Sequence, residues 1–238
     1  MKILIISDIH GNLAALQAVL DAEPQADLTV CLGDLVDYGP QPAECVALVR
    51  QCVQAVVMGN HDHAVGHHAD PGCSPAYEHL AQVTRDYSIG VLGREASHYL
   101  ATLPLRGHFE RGGAQFCAVH AAPSDPLFKY LPPDSPEREW ESEAAFAHHP
   151  DVLLLGHTHL PLVKSVDTTT VVNPGSVGQP KGGDPRAAYA VWEDGEISLR
   201  QAAYDLWQTA DAFTKTDLLP GDVVRLVAIL RSGGSAGP

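Results

Sequence analysis

Seven side chains of three donor types stand in five short clusters. They are Asp8 with His10, Asp34 after Gly33, Asn60 in Gly59-Asn60-His61-Asp62, His120, and His157 with His159. Carboxylate, imidazole and amide oxygen are donors for a divalent first-row metal, and the clusters offer no thiolate. Two carboxylates, four imidazoles and one amide exceed what one tetrahedral ion takes up. Two ions sharing a carboxylate use them fully, and paired ions roughly 3.5–4 Å apart recur in hydrolysis at phosphorus. Such ions bring about +4, of which Asp8 and Asp34 remove two charges, so the centre stays positive enough to hold a phosphoryl group. Taken singly, each cluster is ordinary turn chemistry or a hydrogen-bonded histidine. Their conjunction carries the reading.

Every cluster directly follows an apolar run: residues 3–6, 28–32, 56–58, 116–119 and 152–155. If these runs are strands, all five clusters lie at carboxyl ends, where open α/β sheets bind ligands. Periodicity predicts strands over 2–7, 28–32 and 55–58, with helices after Asn12 and over 42–51 between them. That β-α-β-α-β rhythm argues for a parallel sheet. Residues 62–78 read as irregular, broken by Pro71, Gly72 and Pro75. Helices follow over 76–87 and 91–100, then a hairpin about Gly112-Gly113. A helix is expected from Ser135-Pro136 to His149, and hairpins over 160–172 and 187–203. Two amphipathic helices close a single domain at residues 1–231, ahead of a small, polar tail at 232–238 expected to be disordered.

With 45% apolar and 18% charged residues, the 238-residue chain reads as a compact soluble protein. The net charge of −14 disfavours a nucleic-acid polymer as partner, because such an acidic surface repels a phosphate backbone. Five cysteines without a CxxC pair point away from a disulfide framework and toward the cytoplasm. No run approaches the ~18 apolar residues of a membrane helix. A homo-oligomer is left open.

The motifs DxH, GD, GNH[DE], a single H and GHxH, present in that order over residues 8 to 159, resemble the calcineurin-like metallophosphoesterase superfamily. The resemblance implies a four-layer α/β/β/α sandwich of two mixed sheets with flanking helices. It assigns Asp8, His10 and His159 to one metal, Asn60, His120 and His157 to the other, and Asp34 to both. It further implies that a bridging hydroxide attacks phosphorus while His61 protonates the leaving oxygen. Two divalent ions are expected, Mn²⁺ first, with Fe, Ni or Zn compatible.

Protein phosphatases of the superfamily carry GDxVDRG and GNHExR, whose arginines bind phosphate; here Tyr38 and Ala64 hold those places. The runs Ser7-Asp8-Ile9-His10-Gly11-Asn12 and Asn173-Pro174-Gly175-Ser176-Val177-Gly178 are more like the small bacterial and archaeal phosphodiesterase branch. A small phosphate ester is therefore the expected substrate. Asp37 matches the aspartate that pairs with the acid histidine in the protein phosphatases. Rival readings are a nuclease using the same centre and a non-catalytic scaffold, such as the retromer subunit of this fold, which lacks the acid histidine. Arg186, and His63, His67 and His68, are further residues that could reach the substrate.

Overall fold

The computed structural model describes residues 1–235. The first half runs β1 (Lys2–Ile6), α1 (Leu13–Ala22), β2 (Leu28–Cys31), α2 (Pro42–Cys52), β3 (Ala55–Val56), α3 (Asn60–His67), α4 (Glu78–Val91) and α5 (Arg94–Ala101). The second runs β4 (Arg106–Arg111), β5 (Ala114–Val119), α6 (Glu137–Phe146), β6 (Val152–Leu154), β7 (Leu162–Val166), β8 (Thr169–Asn173), β9 (Ala187–Glu193), β10 (Glu196–Ala202), α7 (Leu206–Phe213) and α8 (Pro220–Ser232).

Two five-stranded mixed sheets result, in the orders β10-β9-β1-β2-β3 and β4-β5-β6-β8-β7. The first is not purely parallel. β1 pairs in parallel with β2, but β9 joins its other edge antiparallel, Ile5 facing Ala190. The apolar residues of β1 show why the sheets stack. Ile3 and Ile5 enter a core shared with Phe116, Leu154 and Val172 of the second sheet, while Leu4 and Ile6 join Leu16, Val19 and Val46 under α1 and α2. A strand apolar on both faces needs cover on both faces. On the far side, Trp140 of α6 packs with Leu153 and Val171. The layers are therefore helix, sheet, sheet, helix, as the motifs implied.

One local expectation is corrected. The stretch read as irregular from residue 62 is helical to His67, as part of α3. Its sequence lacks apolar periodicity because the face it buries is polar: Asn60, His61 and Asp62 are buried beside Ala64 and Val65. At the chain end, the described residues run to Ser235. Ser232 closes α8, Gly233 takes the left-handed conformation (φ 56°) that ends it, and its carbonyl accepts from Gly183 N–H at 2.9 Å. The rest of that tail, residues 236–238, lies outside the described residues. No helix among the described residues is long and apolar enough to cross a membrane.

Candidate metal centre

All seven predicted donors converge where β1, β2, β3, β5 and β6 end. Asp8, His10, Asp34, Asn60, His120 and His159 are buried, and His157 is partly exposed. The strand-end loops are tied to one another: Asp8 N–H donates to the Gly33 carbonyl at 3.0 Å, and His10 N–H to the Asp34 carbonyl at 2.9 Å. Asp8, His10, Asp34, His157 and His159 all hold left-handed backbone, φ 47° to 64°. Asp and His tolerate that region better than most residues. Five such turns persist in one place only because the surrounding contacts impose them.

The imidazoles are oriented from behind. Nδ1 of His10, His120 and His159 faces the carbonyl of Val36 (2.9 Å), Leu32 (2.7 Å) and Gln179 (2.6 Å) respectively. An Nδ1–H that donates to a carbonyl leaves Nε2 as a lone pair aimed inward, the tautomer of a metal-ligating histidine. Asn60 Nδ2 donates to the Pro71 carbonyl at 2.7 Å, which turns Oδ1 toward His120 (2.9 Å) and His157 (3.1 Å).

Acceptor atoms are crowded together at the centre. His10 Nε2 lies 3.2 Å from His159 Nε2, which lies 3.1 Å from Asp8 Oδ1. Asp8 Oδ1 accepts no hydrogen bond despite its burial. Asp34 Oδ2 stands 3.7 Å from His10 Nε2 and 3.2 Å from His120 Nε2. Unprotonated nitrogens facing each other and an orphaned buried oxygen fit a cation between them. Burial holds His10 neutral, its pKa pushed down to about 3. Burial also opposes charge on His120, but Asp34 outweighs it and lifts that pKa to about 9, so a cation here displaces a proton from Nε2.

His61 differs. Its backbone N–H donates to Asp34 Oδ1 at 2.9 Å, and its Nδ1 meets Asp37 Oδ2 at 2.7 Å. The ring's other edge, Nε2, faces Cys73 Sγ at 3.5 Å. Burial works against its charge, yet Asp34 and the Asp37 hydrogen bond prevail and hold the imidazolium well above the usual histidine range.

Two residue sets lock this floor. Asp62, buried in the first turn of α3, accepts backbone N–H groups from Asp34 (2.8 Å), Leu35 (2.8 Å) and Gly59 (3.0 Å), fastening two of the site loops together. Truncation strands three buried donors at about 1–3 kcal/mol each before relaxation. Asp62→Ala should therefore lose about 3 kcal/mol in urea unfolding. A loss below about 1 kcal/mol would show that water replaces the carboxylate. Residues 173–178 form the second brace: Ser176 Oγ donates to the Asp8 carbonyl at 2.7 Å and accepts from Gln179 N–H at 2.8 Å. Asn173 Nδ2 donates to the Gly156 carbonyl at 2.7 Å. Gly178 has to be glycine, since a Cβ there would stand 1.7 Å from the Ile9 carbonyl oxygen. Ser176 is thus a strut between loops.

The description "calcineurin-like phosphoesterase superfamily domain" matches residues 1–194, a span holding all five clusters. The chain belongs to the calcineurin-like phosphoesterase superfamily. An uncharacterized protein of Methanocaldococcus jannaschii is 31% identical over 236 residues, covering 91% of this chain and 93% of that one. Phosphodiesterase YfcE of Escherichia coli is 25% identical over 217 residues, covering 84% and 91%. A crystal structure of a metallophosphoesterase from Sphaerobacter thermophilus superposes with a TM-score of 0.78 at 31% identity, over 98% of this chain and 99% of that one. This phosphoesterase is accordingly a metal-dependent phosphoric ester hydrolase.

Above the floor of the phosphoesterase lies a cleft of about 590 Å³. Where protein-phosphatase members place arginines, Ala64 is fully buried and Tyr38 forms part of the wall, its ring 5.0 Å from those of His10 and His61. Arg186 does not reach the cleft: it is exposed and makes a two-pronged pair with Asp184. His63, His67 and His68 do not line it either. His63 and His67 pack on one another at 4.8 Å, and His68 caps α3. The cleft instead uses Cys73, Tyr77, Phe128, Tyr130 and Lys181. Cys73, Phe128, Tyr130 and Lys181 sit in stretches that carry no motif and no periodicity.

Proposed function

We propose that this phosphoesterase is a two-metal hydrolase of small phosphate esters and that it favours diesters over phosphoproteins. One observation carries the reading: a single oxygen, Asp34 Oδ2, stands between the inward nitrogens of His10 and His120. On one side Asp8, His10 and His159 would hold an ion, on the other Asn60, His120 and His157, with Asp34 common to both. Mn²⁺ is the first candidate, with Fe, Ni or Zn compatible, because N/O donors discriminate poorly among these metals. Two divalent ions, when bound, supply positive charge to the phosphoryl oxygens and lower the pKa of water to give a nucleophile.

The chain's own residues supply the rest. His61 delivers a proton from Nε2 to the departing ester oxygen, and Asp37 holds its ring through Nδ1 and favours the protonated form. Tyr77, Phe128 and Tyr130 give the cleft apolar walls against which an ester substituent can pack. An intact His61–Asp37 pair at 2.7 Å favours an enzyme over a non-catalytic scaffold. The net charge of −14 favours small esters over a nucleic-acid strand. Five unpaired cysteines support a reducing compartment such as the cytoplasm.

Substrate class is checked with the Mn²⁺-loaded protein on bis-p-nitrophenyl phosphate and on phosphopeptides. The diester should be turned over and the phosphopeptides should react slowly, because no arginine pair chelates their dianionic monoester. Efficient phosphopeptide turnover without diesterase activity would reverse the assignment.

A further inference from the structure

Lys181 is the one lysine or arginine among the residues lining the cleft. Among the described residues it forms no hydrogen bond or ion pair, and its ammonium stands over the Tyr77 ring, 5.5 Å from the centroid. Burial pushes its pKa below the usual lysine range, while Asp8 and Asp34 on the floor pull the other way. A mostly buried cation without a counter-ion is unfavourable unless something anionic enters beside it. Lys181 shares the lining of this cleft with His159, Gln179 and Tyr77.

The backbone carrying Lys181 is held from both ends. Two residues earlier, the Gln179 carbonyl accepts from His159 Nδ1 at 2.6 Å, and Gln179 N–H donates to Ser176 Oγ at 2.8 Å. Two residues later, Gly183 N–H donates to the Gly233 carbonyl at 2.9 Å, pinning the loop to the end of α8. A Cβ on Gly234 would come within 3.1 Å of Lys181 Cα, which shows how closely the two segments pack. The backbone is therefore held and the ammonium rests over the Tyr77 ring, so binding an anion requires no ordering of the loop itself.

We propose that Lys181 is the phosphate anchor of this cleft, its ammonium pairing with a non-bridging oxygen of the ester being hydrolysed. The inference rests on the hydrolase reading above and gives it a specificity residue. Tyr38 and Ala64 remove the two guanidinium forks that would chelate a dianionic monoester. A single ammonium is a point charge, matched to the single negative charge of a diester.

The test uses the Mn²⁺-loaded protein and its Lys181→Met and Lys181→Arg variants, with inorganic phosphate as the probe. Phosphate affinity is measured by calorimetry and as competitive inhibition of bis-p-nitrophenyl phosphate hydrolysis, with bound metal counted in parallel. Lys181→Met should weaken phosphate and raise KM about tenfold or more, the size of a lost charge-assisted hydrogen bond. Its kcat should fall less than its kcat/KM, its metal content should be unchanged, and Lys181→Arg should restore most of the phosphate affinity. Should Lys181→Met not fold, Lys181→Gln carries the same comparison with a polar end left in the cleft. Phosphate affinity within twofold of wild type, or a loss confined to kcat, would overturn the anchor and leave the hydrolase reading standing. A wild type that turns over no ester would instead overturn the hydrolase reading, and phosphate calorimetry would still decide on Lys181.

Discussion

Replacing His61 with Ala should slow hydrolysis of an alkyl phosphate ester by about 10²–10⁴-fold, the range a positioned general acid contributes. A p-nitrophenyl ester should suffer much less, because p-nitrophenolate departs without a proton. The expectation rests on the placement of the ring: Nδ1 is held by Asp37 at 2.7 Å and the opposite edge opens into the cleft. Asp37→Asn should show the same leaving-group dependence at smaller size, since an amide can still orient the ring but no longer stabilises its charge. Metal content should stay at the wild-type value in the Asp37 variant, as its carboxylate faces His61. Equal losses on both esters would mean that neither residue delivers the proton. Loss of metal from Asp37→Asn would give Asp37 a structural role and end the dyad.

The second large effect is expected at Asp34. Its two oxygens do different work: Oδ1 accepts the His61 N–H at 2.9 Å, and Oδ2 stands between His10 and His120. Asp34→Asn keeps the shape and an acceptor but removes the charge common to both donor sets. Activity should fall about 10³-fold or more, as the several kcal/mol of charge stabilisation supplied by the ions are lost. Asp8 is assigned to one donor set and Asp34 to both, so Asp8→Asn should retain one ion where Asp34→Asn retains none. Identical metal loss in the two variants would remove the special place of Asp34.

The convergence of the seven side chains was legible because chemistry and local pattern coincide there. Each donor cluster closes an apolar run, and a strand end is where such a cluster becomes a ligand site. Asn12 illustrates the same economy: its Oδ1 caps α1 through Ala15 N–H at 3.3 Å, as its place before an apolar helix suggested. What local pattern misses is determined by distant packing. α3 buries a polar face against the site, so its eight residues resemble a loop to any reading based on apolar periodicity. β9 lies antiparallel to β1 although α1 to α6 and the strands of the second sheet intervene in the chain between them. Lys181 and Arg186 make the point at single residues. Both are basic and both follow Gln179, but Arg186 is neutralised by Asp184 next to it, while Lys181 turns into the cleft. Nothing in their spacing distinguishes them.

Counting metal tests the two-metal assignment most directly. The wild-type protein, loaded with Mn²⁺ and freed of excess, is weighed by native mass spectrometry beside Asp34→Asn. Two ions per wild-type chain and none in the variant is the result expected from an Asp34 oxygen placed between two donor sets. One ion per folded wild-type chain, or two retained without the Asp34 charge, would contradict it.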